Sequence, residues 1–269
     1  MPEGDTIHRI AASLAPRLTG SVLERVTTQG LVRDIAGRTV VSVGAHGKHL
    51  VIELEDGAYV RAHLGMNGRF RAYDRARGEA MLAKLSPGRV SLALVTERGV
   101  YLWIGAPTIE ISHRRAPRHG AAVATLGPDV LDAHFDREIA ATRAAAHGAR
   151  TIGEVLLDQR IVAGIGNIWR SESLFVAGID PRRRVAELDA QALAAIYAAA
   201  HDLMTASAGG RRATPGSELM RGSSAGVPAF WVYTRTGQPC RRCGTAIQCY
   251  QLGDPPRWTW SCPTCQPPP

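Results

Sequence analysis

Four of the five cysteines stand as two C-x-x-C pairs near the C-terminus, Cys240 with Cys243 and Cys262 with Cys265, and eighteen residues separate the pairs. No other feature restricts the fold so tightly. Each short turn presents two thiolates to one cation, and two such turns close a tetrahedron around Zn²⁺. The expectation is a small zinc-binding module with Cys240, Cys243, Cys262 and Cys265 as ligands. One structural Zn²⁺ per chain follows, because four thiolates leave no open coordination position. Cys249 is left over and reads as a small buried side chain. Between the pairs, YQLGDPPRWTW reads as a hairpin with Arg257 at its turn, where a guanidinium suits phosphate or groove contact.

The remaining chain reads in two halves. Ile7, Ile10, Ala11, Leu14 and Leu18 fall on one face of a helix that ends near Gly20. From there to about residue 112, short β-rich runs alternate with glycine-containing turns, which predicts a sandwich or barrel. The two-sided apolar run SLALV fits a central strand. A charged, Pro- and Gly-containing stretch, ISHRRAPRHGAA, reads as a linker. Helices are predicted near 135–147, 151–162, 167–177 and 188–208. The expected boundaries are 1–115 for a β-sandwich domain with a leading helix, 116–130 for the linker, 131–227 for a helical domain and 228–269 for the cysteine module. The fold class is therefore α+β and multidomain.

Charge narrows the function. The net charge is +8, and from Thr205 onward seven arginines face only Glu218 and Asp254. A polyanionic partner is the reading this favours. No apolar run reaches membrane-span length, and Glu3, Asp5 and Arg9 occupy the start, where a secretory leader would not carry them. The expected location is the cytoplasm.

The stretch TIGEVLLDQRIVAGIGNIWRSESLF carries a capping box at Thr151 and Glu154. Gly164 and Gly166 break one helix and Asn167 is placed to cap the next. Two helices joined this tightly expose backbone N–H groups at the start of the second, a natural phosphate site.

Pro2-Glu3-Gly4, HLGMNGRF, LLDQRIVAGIGNIWRSESLF and the C-terminal finger with its arginine together resemble the formamidopyrimidine-DNA glycosylase and endonuclease VIII family of base-excision repair enzymes. The likeness runs from Pro2 to Gln266. It implies a leading helix on a β-sandwich, then a helix–two-turn–helix domain with a zinc finger. It also implies a bifunctional glycosylase and abasic-site lyase acting on damaged DNA as a monomer, with no membrane partner.

The resemblance assigns catalysis to Pro2, Glu3 and Lys48, and DNA contact to Met66, Asn67, Asn167 and Arg257. With Met1 removed, Pro2 would present a terminal amine with a pKa of about 7.7–8.0 against about 10.4 for lysine, so a usable neutral fraction exists near neutrality. Its adduct with an aldehyde carbon is an iminium with no N–H to lose, so it keeps its charge. Glu3 would shuttle protons and Lys48 would contact phosphate beside the lesion. Met66, with Asn67 beside it, would fill the gap left by a flipped nucleotide.

Thr6 stands where many relatives carry a second acid. The purine-excising branch has an Arg and a Phe two residues apart on a wedge loop, and a long base-capping loop before the finger. Neither is found in YLWIGAPTIEISHRRAPRHG or RGSSAGVPAFWVYTRTGQPC. Both absences point to the endonuclease VIII branch and oxidised pyrimidines, although HLGM resembles the purine branch. A purine-preferring glycosylase and a non-catalytic damage-binding protein are the alternative readings.

Overall fold

The computed structural model describes residues 2–29, 34–112, 123–209 and 230–269. The chain divides into two compact units, one comprising Met1–Pro2 and Thr6–Thr125, the other Glu3–Asp5 and Leu126–Pro269.

In the first unit, the amphipathic face predicted for the leading helix is the face it buries. Helix α1 (Gly4–Leu18) sinks Ile7, Ala11, Leu14 and Leu18 into the core. That core is shared by two four-stranded antiparallel sheets. The first has the order β1 (Arg25–Thr28), β6 (Val90–Thr96), β7 (Gly99–Ile104), β5 (Arg69–Tyr73). The second runs β2 (Val40–His46), β3 (His49–Leu54), β4 (Tyr59–His63), β8 (Thr108–Ser112). Leu92, Leu94, Tyr101 and Trp103 from one sheet meet Leu50, Ile52, Val60 and Ala62 from the other, so the unit is a sandwich.

Strand β6 is buried along its whole length, as SLALV predicts. Alternation explains how: Leu92 and Leu94 face the sandwich core, while Ala93 and Val95 face a second cluster with Val100 and Leu102. Leu82 and Leu85, in and just beyond helix α2 (Arg75–Lys84), pack on that outer cluster. This helix was not foreseen among the strands; Asp74 caps it by accepting from the Arg77 N–H.

The second unit holds α3 (Arg137–Ala145), α4 (Ile152–Val155), α5 (Asn167–Ala177) and α6 (Ala190–Ala208), followed by the ribbon β9 (Gln248–Leu252) and β10 (Arg257–Ser261). The capping box at Thr151 and Glu154 is formed, and α5 spans the predicted residues. The predicted helix over 151–162 is not continuous; it stops after Val155 and gives way to turns. Val155, Leu156, Ile161, Val162 and Ile165 are all buried, a set too dense for one helical face. Gln159 holds the turns together. Its amide nitrogen donates to the carbonyls of Leu157 and Ile165 (both 2.9 Å) and its oxygen accepts from the Gly164 N–H (3.0 Å).

A small core of Phe175, Trp231, Val232, Cys240, Ile247 and Cys262 joins α5 to the cysteine module. Among the described residues no helix is long and apolar enough to cross a membrane. Residues 116–122 of the predicted linker and residues 221–229 of the segment examined for a base-capping loop lie outside the described residues.

Candidate functional site

In the second unit the residues after Pro2 are fastened one by one. Glu3 is 1 % exposed. Its carboxylate accepts from the backbone N–H of Ile168 (2.8 Å) and of Trp169 (3.3 Å), the second and third residues of α5. Gly4 donates its N–H to the Gly164 carbonyl (3.0 Å), and a Cβ on Gly4 would lie 2.9 Å from the Gly164 Cα. Asp5 accepts from the Trp169 indole (3.0 Å) and from the Ser207 hydroxyl (2.6 Å). Each of these three successive residues is bonded to α5, to its preceding turn or to α6.

Two expectations are corrected by this arrangement. Asn167 does not cap α5; the cap position is Gly166, and no side chain of its own caps the helix. The Glu3 carboxylate, from far away in sequence, satisfies the orphan N–H groups instead. The amides of Ile168 and Trp169 are therefore engaged rather than open to phosphate.

Gly166 is required for this approach, because a Cβ there would sit 2.3 Å from the Glu3 Cδ and 2.5 Å from its Oε1. Gly166→Ala is expected to displace the carboxylate, destabilise the protein by about 1–3 kcal/mol and abolish most turnover. Denaturant melts and a single-turnover assay check this; wild-type values for both would contradict the contact.

Asn167, half-buried at the first position of α5, donates through Nδ2 to the Trp258 carbonyl (2.9 Å). Its Oδ1 accepts from Arg170 Nη2 (2.5 Å), which also donates to the Trp258 carbonyl (2.9 Å) and to Thr259 Oγ1 (2.6 Å). Arg170 is 0 % exposed, and burial lowers its pKa to about 10. Its Nε and Nη1 have no hydrogen-bond partner among the described residues. This arginine ties the start of α5 to strand β10, and Arg257, at the first position of β10, lies exposed one residue from the joint. Sequence reading missed Arg170; the one local signal was its place three residues after Asn167, on the same face of α5.

The four paired cysteines converge, with all Sγ atoms within 4.8 Å of one another. Cys240 and Cys265 are 3.9 Å apart and Cys243 and Cys262 are 3.4 Å apart. A tetrahedron with metal–sulfur bonds of about 2.3 Å has edges of about 3.8 Å, so the cluster fits a metal ion. Cys249 sits apart on β9, opposite Trp260.

In the first unit, Pro2 is half-buried. Gly47 and Lys48 form the two-residue turn between β2 and β3, with His46 paired to His49. Gly47 has φ of 56°, the left-handed value a type II′ turn requires at its first central position. Met66 and Asn67 cap the loop between β4 and β5. Met66 is 66 % exposed, which excludes a core role.

A partly buried polar lattice joins strands β3, β4 and β8. The Arg61 guanidinium donates to Glu110 through Nε and Nη2 (2.8 and 2.6 Å) and through Nη1 to His49 Nδ1 (2.9 Å). Tyr59 donates to the other Glu110 oxygen (3.0 Å). Burial, then His63 and Arg61, push the His49 imidazole down to about 3. His63 is lowered by burial first, then by Lys48 and Arg61. The unfolded chain titrates these groups at about 6.5 and so binds more protons than the folded chain below that pH. Stability should therefore fall as pH drops from about 6.5 toward the folded values. The urea midpoint is expected to decline over that window, and less steeply in His49→Asn, which keeps an acceptor for Arg61 but cannot titrate. A flat midpoint would contradict the neutral assignment.

Known proteins match this chain along nearly all of its length. Residues 1–103 match the formamidopyrimidine-DNA glycosylase N-terminal domain, and residues 126–214 match the formamidopyrimidine-DNA glycosylase H2TH domain. A probable endonuclease 8 2 of Streptomyces coelicolor is 37 % identical over 275 residues, covering 99 % of this chain and 94 % of that protein. The DNA-(apurinic or apyrimidinic site) lyase Nei2 of Mycolicibacterium smegmatis is 35 % identical, covering 99 % of each. The crystal structure of the MutM (Fpg) protein of Thermus thermophilus superposes with a TM-score of 0.77 at 28 % identity, over 98 % of both chains.

Proposed function

The chain belongs to the formamidopyrimidine-DNA glycosylase and endonuclease VIII family, and from that premise we propose that it is a bifunctional DNA glycosylase and abasic-site lyase of base-excision repair that favours oxidised pyrimidines. The observation that carries the reading is the fixed Glu3 carboxylate on the residue next to Pro2.

Once Met1 is removed, the Pro2 nitrogen attacks C1′ of the damaged nucleoside. The N–C1′ bond forms as the bond to the base breaks; Glu3 passes the proton given up by the nitrogen to the departing base and relays a second one from solvent to the sugar ring oxygen as its bond to C1′ breaks, which leaves the iminium. Two backbone N–H groups hold that carboxylate, so it needs no reorganisation when the substrate arrives. The resulting iminium withdraws electrons from the sugar. Loss of a sugar proton then expels the 3′ phosphate, and a second elimination expels the 5′ phosphate.

Lys48, at a tight hairpin turn, contacts phosphate by the lesion. Met66, exposed at a loop apex, fills the gap in the stack with Asn67 beside it. Asn167 and Arg257, joined through Arg170 and the Trp258 carbonyl, contact the backbone further along. Cys240, Cys243, Cys262 and Cys265 hold one Zn²⁺, whose contribution is to fix the β9–β10 ribbon rather than to react. The protein acts as a monomer on DNA in the cytoplasm.

The pyrimidine preference is supported by the relatives named endonuclease 8 and Nei2, which share more identity with this chain than the MutM structure does. A panel of oligonucleotides bearing thymine glycol, dihydrouracil, 8-oxoguanine or an abasic site tests it. Faster excision of the two pyrimidines and a nick with phosphate at both ends are expected. Faster excision of 8-oxoguanine would reverse the preference, and no excision of any base together with no cleavage at the abasic site would leave only damage binding.

A further inference from the structure

We propose that His63 is a positioning residue for the loop that carries Met66 and Asn67, held in one tautomer by the backbone N–H of Gly65. The proposal rests on the reading of Met66 as the group that fills the stack.

The loop itself has little to hold it. Leu64 is buried, the Gly68 N–H bonds back to the Leu64 carbonyl (2.9 Å), and Met66 and Asn67 between them are exposed. Gly65, the residue before Met66, has φ of 59°, and a Cβ on it would strike the Pro107 ring at 2.6 Å. Its N–H donates to His63 Nδ1 (3.0 Å). An amide can only donate, so His63 Nδ1 must accept and the ring proton must sit on Nε2.

The same logic fixes the neighbouring ring. A guanidinium can only donate, so His49 Nδ1 accepts from Arg61 and its proton also sits on Nε2. The two imidazoles are register partners across β3 and β4, with centroids 4.9 Å apart. Arg61 is anchored by two bonds to Glu110, which Tyr59 also bonds. Lys48 and His46 are the remaining titratable groups that face the His49 ring. The directions among Tyr59, Arg61, Glu110 and His49 are set by groups that cannot reverse; His63 packs its ring against His49, and its own bond ends on the backbone next to Met66. A wedge gains from being held in place before the base leaves, because ordering it at that moment costs conformational entropy.

The test compares His63→Leu, which removes the acceptor at similar volume, with His63→Asn, whose side-chain oxygen lies where Nδ1 does. Each is assayed on a duplex with one dihydrouracil and on a single strand with a preformed abasic site, where no base is flipped from a stack. His63→Leu should lower kcat/KM on the duplex about tenfold and leave the abasic single strand within about twofold of wild type. His63→Asn should recover most of the loss, and nitrogen NMR of the wild-type protein should show His63 protonated on Nε2 alone. Equal loss on both substrates, no loss on the duplex, failure of asparagine to rescue, or a proton on Nδ1 would each overturn the proposal. Met66→Ala on the same pair reports separately on the wedge reading, which fails if the duplex rate is unchanged.

Discussion

Replacing Glu3 with glutamine is expected to slow base excision by about a hundredfold to ten-thousandfold, the usual worth of a positioned proton shuttle. Cleavage of a preformed abasic site should fall far less, since no base has to be protonated as it leaves. The geometry makes this a clean substitution. Glutamine keeps one carbonyl oxygen to accept from the Ile168 N–H, so the segment stays docked. It gives up the negative charge at the start of α5, and the protein should lose about 1 kcal/mol of stability. A single-turnover assay on both substrates, beside a denaturant melt, separates chemistry from folding. Full excision by the variant would remove Glu3 from the proposed mechanism.

Removing the metal should have a comparably large effect, but on binding. The finger's own apolar core is small, and two of its six buried residues, Cys240 and Cys262, are themselves proposed ligands. Four clustered thiolates would repel one another without a cation, so the β9–β10 ribbon should lose its order. The consequence reaches beyond the ribbon, because the Trp258 carbonyl and Thr259 hydroxyl hold Asn167 and Arg170 at the head of α5. Chelation, or Cys262→Ser, should therefore weaken DNA binding at least about a hundredfold, with loss of two phosphate-contacting groups at once. Atomic emission should find about one zinc per active chain. Chelated protein that binds damaged DNA normally with its metal gone would contradict the structural role.

Local signals carried much of this fold. The spacing of the cysteines, the capping box at Thr151, the residues of α5 and the face of α1 all depend on neighbours within a few positions, and each appears as expected. The sandwich follows from alternation and turns in the same way. What sequence could not disclose lies in long-range contacts. Glu3 and Ile168 are 165 positions apart, and no periodicity joins them. Asn167 accordingly read as a cap, because a residue of the right type stood at the right place and its competitor was at the other end of the chain. Gln159 read as a helix residue, although its side chain ends the helix by bonding backbone groups of the turn. Helix α2 was hidden by a weakly apolar sequence that only needs to cover one side of an already buried sheet.

The identity of the nucleophile decides the chemistry, and borohydride trapping reads it directly. Incubated with a duplex containing dihydrouracil and reduced in place, the protein should form a covalent adduct whose sugar remnant maps by peptide mass spectrometry to the nitrogen of Pro2, with Met1 absent. An adduct on Lys48 or any other side chain, or a cleaving enzyme that still carries Met1, would contradict it.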